Sequence, residues 1–177
     1  MMSSSQPAPL LLPVRAGFIA TSLLIALLLN MLQNIWWLGR APWAPDWLAV
    51  VLVFWSVHQS SKVGIGIAFC LGLIMDCQMT TYLGEHGLSY ALLSFLGITV
   101  HRRLLWFSGI GQILQVIPVF FAGHLVDAVA RLVTQGNWPN QAQFFAPILE
   151  GLCWPWMSFI LLAPQRRPPD PDENRPL

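Results

Sequence analysis

Apolar segments fill most of the chain between Ala16 and Leu162, and the ionisable residues sit mainly at their ends, sorted by sign. Let the chain cross a bilayer six times from a cytoplasmic N-terminus. Arg15, Lys62, Arg102, Arg103, Arg166 and Arg167 then fall on the cytoplasmic side. Asp46, Asp76, Glu85, Asp127 and Glu150 fall on the other side or in the outer half of the bilayer. Only Arg40 and Arg131 depart from the basic pattern. A soluble core has no reason to sort charge by alternate loops. A membrane protein does, because Lys and Arg are retained on the cytoplasmic side during insertion.

Composition agrees. Charged residues make up 10% of the chain and hydrophobic residues 55%, with a mean hydropathy of +0.59. Soluble domains carry about 25% charged residues, so the bilayer must supply part of the solvent here. Six spans with short loops use nearly all 177 residues and leave no room for a second globular domain. Residues 1–14 and 165–177 read as disordered cytoplasmic tails, the latter rich in proline, around a transmembrane domain at 15–164. The net charge of +1, with no basic run beyond two adjacent arginines, gives no footprint for nucleic acid. The Ser-rich start with Leu10–Leu12 and Arg15 resembles a signal peptide. The apolar run that follows is too long and has no small-residue cleavage site, so it reads as an uncleaved first span.

The first span is predicted at about Ala16 to Leu38, long enough to cross about 30 Å of hydrocarbon. Asn30, Gln33 and Asn34 share one face of it and should turn toward another helix. Trp36 and Trp37 mark the outer interface. Asp46 is placed to cap span two, about Trp47 to Ser61, whose strictly apolar stretch is short. Span three, about Val63 to Asp76, is also brief. The pair either crosses fully or forms a re-entrant hairpin. Span four is predicted at Gly84 to Val100, closed by His101-Arg102-Arg103. Span five follows at about Trp106 to Arg131, with a proline kink at Pro118. A polar outer loop is expected from Thr134 to Gln143, then span six from Phe144 to Leu162.

Gly64, Ala68, Gly72 and Asp76 recur every fourth residue along span three. Small residues at that spacing let a second helix approach closely. Asp76 ends the stripe near the outer surface. It is either solvated by headgroups or held at a helix–helix or partner interface. Asp127 and Arg131 can pair at i, i+4. Gln112 and Gln115 should face the bundle, because amides in lipid need partners. Glu150 lies inside span six near Pro147, where it either snorkels or faces a polar cavity or a partner.

There is no P-loop, H-E-x-x-H, G-x-S-x-G or C-x-x-C sequence. No catalytic, cofactor-binding or metal-binding residue is expected. Cys70, Cys77 and Cys153 read as small buried hydrophobes, and nothing in the sequence supports a Cys77–Cys153 disulfide.

Several short motifs occur in a specific order: Pro45-Asp46-Trp47, Val63-Gly64-Ile65-Gly66, Gly72-Leu73-Ile74-Met75-Asp76, Leu83-Gly84, Leu88-Ser89-Tyr90 and the Arg102-Arg103 pair. Together they resemble the rod shape-determining MreD family over about residues 16 to 163. Asp46, Gly64, Gly66, Gly72, Asp76, Gly84 and Tyr90 are the positions that match its pattern. The resemblance implies a small, multi-pass inner-membrane subunit of the bacterial cell-wall elongation machinery. Such a subunit associates with an MreC-like periplasmic protein. Through it, cytoplasmic MreB filaments are connected to a RodA-type glycosyltransferase and its transpeptidase. The family is also distantly similar to the six-helix substrate-binding components of energy-coupling vitamin transporters.

The resulting expectation is an all-α polytopic helix bundle of about six transmembrane helices, both termini cytoplasmic. It would act as a non-catalytic scaffold that maintains rod shape and is surrounded by membrane lipid. Asp46, Gly64, Gly66, Ala68, Gly72, Asp76, Gly84, Tyr90 and Glu150 are its candidate partner or helix-packing residues. The alternative is a small-molecule or lipid-binding membrane transport component, which would need a closed polar pocket.

Overall fold

A computed structural model of the chain describes residues 14–35 and 41–165. Trp36, Trp37, Arg40, Arg166, Arg167 and both expected tails lie outside the described residues, apart from Val14 and Gln165 at their borders. The described residues form six α-helices and no strand: α1 Ala16–Ile35, α2 Trp47–His58, α3 Ile65–Met79, α4 Glu85–Trp106, α5 Ile110–Gln135 and α6 Ala146–Leu162. Short 3-10 turns flank α6 at Gln141–Phe145 and Ala163–Gln165.

Successive helices alternate in direction, and α2 is the centre of the bundle. It packs on α1, α4 and α6, while α3 packs on α4, α4 on α5 and α5 on α6. Every residue from Leu48 to Val57 is buried. That explains a segment apolar on all sides, since a helix enclosed by others has no face to give to polar residues. Trp55 packs edge-on against Phe18 and Phe54, and its indole N–H donates to Ser22 Oγ at 2.7 Å. Ser56 and Ser94 bond through their hydroxyls at 3.0 Å between α2 and α4. These polar atoms of the core bring their own partners, as a water-free interior requires.

The predicted spans differ in length. Three are long and apolar enough to cross a membrane: Ala16–Asn34, Ile110–Gln135 and the stretch Gln141–Gln165. The α4 helix has 22 residues and carries its charged and imidazole groups near its two ends. With 12 and 15 residues, α2 and α3 are only about 18 and 22 Å long. That is short of about 30 Å of hydrocarbon. For α2 the shortfall costs little, because its ends are enclosed by protein. Asp46 Oδ1 accepts from Ala49 N at its start, and Gln59 N donates to Trp55 O at its end.

Two boundaries move from their expected places. Trp106 belongs to the end of α4, and α5 begins at Ile110. Gln112 donates to the carbonyls of Leu104 and Phe107, which ties the end of α4 to the start of α5. At its other end α5 continues to Gln135 and stops at Gly136, whose φ of 70° suits only glycine well. The outer loop is therefore shorter than expected, and Gln141 to Phe145 form a 3-10 turn. The cysteines also differ. Cys70 and Cys77 are exposed on α3 and Cys153 is half-buried, all as free thiols. A lipid-facing helix surface accepts a thiol as readily as a core does.

Candidate functional site at the acidic end of the bundle

The two ends of the bundle are chemically unlike. One end gathers the start of α1 and the α2–α3 and α4–α5 connections, with Arg15, Lys62, Arg102 and Arg103. Lys62 Nζ donates to Val14 O there at 2.5 Å. The other end gathers the end of α1, the start of α2, the α3–α4 turn and the α5–α6 connection. Asp46, Asp76, Glu85, Asp127 and Glu150 all lie there, and Asp76, Glu85, Asp127 and Glu150 are buried. Three linked clusters hold them.

The first cluster is built on Asp76. Its backbone carbonyl accepts from the N–H groups of Thr80 and Thr81, which ends α3 with Thr80 in the left-handed region at φ 54°. Its carboxylate then reaches the start of α4. It accepts from Gly84 N at 2.7 Å, His86 N at 2.8 Å and Thr81 Oγ1 at 3.2 Å. His86 Nδ1 lies 2.8 Å from the same carboxylate and donates to it, since an ionised carboxylate can only accept. The first N–H groups of a helix have no partner within it, and Asp76 supplies one from the preceding helix. Gly84 makes this possible, with its φ of 102° turning the chain back over Asp76.

That turn brings α3 and α4 into close contact. Gly72 faces Gly87, and a Cβ on Gly72 would lie 2.5 Å from Gly87 Cα. Ala68 is fully buried in the same face. Gly64 stands outside the helix as its N-cap, and neither Gly64 nor Gly66 has anything within 4 Å of an added Cβ. The small-residue stripe is thus filled at Gly72 by this chain's own α4.

The second cluster joins five helices around Asp46. Asn30 Nδ2 donates to Asp46 Oδ1 at 2.6 Å, and Asn30 Oδ1 accepts from Trp47 N at 3.0 Å. Gln33 Nε2 donates to Pro45 O at 3.1 Å. Tyr90, buried in α4, donates its hydroxyl to Asp46 Oδ2 at 2.5 Å. Glu150 of α6 accepts from Asp46 N at 2.9 Å and lies 3.0 Å from His124 Nε2 of α5. Asp46, Tyr90 and Glu150, far apart in the chain, are therefore one connected unit. Asn30 and Gln33, two of the three residues on the polar face of α1, have found their partners here.

The third cluster pairs Arg131 with Glu85 of α4 and, through Nη2 at 3.2 Å, with Asp127 on the next turn of its own helix. Gln143 Nε2 adds a bond to Asp127 Oδ2 at 2.9 Å. Arg131, an exception to the sorted basic charges, is held by two acids. The i, i+4 spacing disclosed the Asp127 contact. Glu85 and Gln143 were missed, because no local spacing links them to Arg131.

Among the described residues, no group of three His, Cys, Asp or Glu side chains is arranged to hold a metal ion. Between the clusters lies a cavity of about 460 Å³, with Asn30, Gln33, Asp46, Tyr90, His124 and Asp127 among its walls. Most of the carboxylate oxygens around it are committed to helix ends or to side chains of other helices. Their chemistry is architectural, because each bond ties two elements together.

An all-helical bundle with apolar outer faces, long apolar helices and charges confined to its ends is a membrane protein of the helical-bundle class. The chain belongs to the MreD family, whose pattern, described as rod shape-determining protein MreD, matches residues 14–163. It is similar to the protein named rod shape-determining protein MreD of Haemophilus influenzae (strain ATCC 51907 / DSM 11121 / KW20 / Rd). The two are 32% identical over 141 residues, covering 73% of this chain and 84% of that relative. No solved structure matches the chain.

Proposed function

We propose that this protein is a non-catalytic, multi-pass scaffold of the bacterial inner membrane that maintains rod shape. Both termini are cytoplasmic, and the acidic end faces the periplasm. It binds an MreC-like periplasmic protein. Through that protein it links MreB filaments to a RodA-type glycosyltransferase and its transpeptidase in peptidoglycan synthesis.

The observation that carries this reading is the match of one rod-shape family to residues 14–163, which takes in all six helices. The use of the acids supports it. Asp46 and Asp76 cap helices, and Glu85, Asp127 and Glu150 brace neighbouring ones. A scaffold needs such rigidity, whereas a hydrolase or transferase needs a general base and a nucleophile free to react.

The test is affinity purification of the tagged chain in mild detergent, with identification of co-purifying proteins. Recovery of a single-span periplasmic protein together with the wall synthases is expected. Recovery of an ATP-hydrolysing transport module in their place would overturn the reading.

A further inference from the structure

The basic end of the bundle carries a patch that the scaffold reading does not use. Arg102 and Arg103 lie near the end of α4, and Trp106 follows them at i+4 and i+3, so the three share one side of the helix. Both arginines are exposed. Trp106 is 92% exposed, more than any other large hydrophobic side chain among the described residues. Leu105, Phe107 and Ile110, on the same corner between α4 and α5, are exposed as well. Among the described residues, neither guanidinium takes part in any of the ion pairs, and every acid lies at the opposite end of the bundle. An arginine near a helix end can serve its last carbonyls, but here Leu104 O and Phe107 O accept from Gln112. The patch is thus cationic and apolar within about one helical turn. Water suits only the first half of it and hydrocarbon only the second.

We propose that this corner binds an anionic phospholipid, with its phosphate held by Arg102 and Arg103 and its chains lying along Trp106 and Ile110. Guanidinium matches phosphate with paired N–H donors, and an indole ring settles at the level of the headgroups. Net negative charge is the selecting feature. A zwitterionic headgroup brings an ammonium of its own, which two adjacent guanidiniums repel. A free phosphate meets the arginines but leaves the apolar half of the patch uncovered. The patch has this character whichever leaflet it meets, and with or without partners in wall synthesis.

The full chain is purified in a mild nonionic detergent. It is mixed with equal amounts of phosphatidylglycerol, phosphatidylethanolamine and phosphatidylcholine of matched acyl chains, and retained lipid is counted by native mass spectrometry. Phosphatidylglycerol is expected to be retained in preference to the other two. Arg102→Gln and Arg103→Gln each lower that preference about fivefold, the usual worth of one basic residue at an anionic membrane surface. Changing both to lysine keeps the charge and most of the preference. Trp106→Ser keeps the preference and lowers retention of all three lipids. Melting temperatures stay unchanged, because these side chains are exposed. Excess glycerol phosphate displaces no lipid. Equal retention of the three lipids overturns the proposal, as does a preference that survives the double glutamine substitution. Displacement by glycerol phosphate would make the site one for a free anion. Loss of a co-purifying protein from the double glutamine variant, with lipid preference unchanged, would give the patch to a protein partner. Either result also overturns the proposal.

Discussion

Gly72 of α3 lies against Gly87 of α4 so closely that a Cβ on Gly72 would come within 2.5 Å of Gly87 Cα and 2.6 Å of His86 O. The obstacle is backbone, so no rotamer change can relieve it. The contact sits beside the Asp76 cap, and the two features depend on each other. The cap holds the start of α4 in place, and the glycine pair lets α4 come near enough to be capped.

Gly72→Ala should therefore separate α3 from α4 and weaken the bundle by at least the 1–3 kcal/mol, roughly, that overpacking costs in cores. Gly72→Leu should be worse. Gly66→Ala is the matched control, since its Cβ would meet nothing, and it should be neutral. Thermal unfolding in detergent ranks the three. A Gly72→Ala protein as stable as the parent would contradict the close approach.

Asp76→Asn keeps one acceptor oxygen for the N–H groups of Gly84 and His86, and Asp76→Leu keeps none. Each donor left buried without a partner costs about 1–3 kcal/mol. The expected order of stability is parent, then asparagine, then leucine. Complementation of a deletion strain should follow the same order at matched protein level. Equal stability of the leucine and asparagine variants would mean that water replaces the carboxylate.

Tyr90 and Glu150 meet different parts of Asp46, one its carboxylate and the other its backbone N–H. Tyr90→Phe should cost about 1.5–3 kcal/mol, the range for a hydrogen bond to a charged group. Glu150→Gln should disturb both His124 and the start of α2. A double-mutant cycle should show coupling of about 0.5–3 kcal/mol, because the two share one residue. Simple additivity would show that Asp46 does not transmit between them.

Arg131→Leu leaves Glu85, whose side chain is fully buried, without its cation. The bundle should lose stability, and adding Glu85→Gln should restore part of it, because the uncompensated charge is then gone. Arg131 itself is partly exposed, so its loss should cost less than breaking a fully enclosed pair. A double variant no better than the single one would place the cost in lost packing of the arginine stem.

Orientation can be read by labelling from the periplasm in a background without Cys70, Cys77 and Cys153. A cysteine at Asn137, exposed between α5 and α6, should react. One at Arg103 should not. The reverse pattern would invert the assignment of the acidic end to the periplasm.

Class and helix order were legible in the sequence because they depend on local and one-dimensional properties. Apolar length, alternate sorting of charge and the Asp46 cap need no knowledge of the rest of the chain. The i, i+4 pair of Asp127 and Arg131 was legible for the same reason, as was the polar face of Asn30 and Gln33. Tertiary structure decided what those groups meet. Asp46 lies 104 residues from Glu150 and 44 from Tyr90, and no spacing rule spans such distances. Arg131 stood out as an exception until Glu85 was brought beside it. Span three carried a regular stripe, but only the packed bundle shows that Gly72 is occupied by α4 while Gly64 and Gly66 are left open. The physical reason is common to all of these. A bilayer dictates which segments leave water, and that is written in composition. Inside the bilayer, lipid gives buried polar groups no partners, so their pairing depends on which helices become neighbours, and that is set by packing in three dimensions.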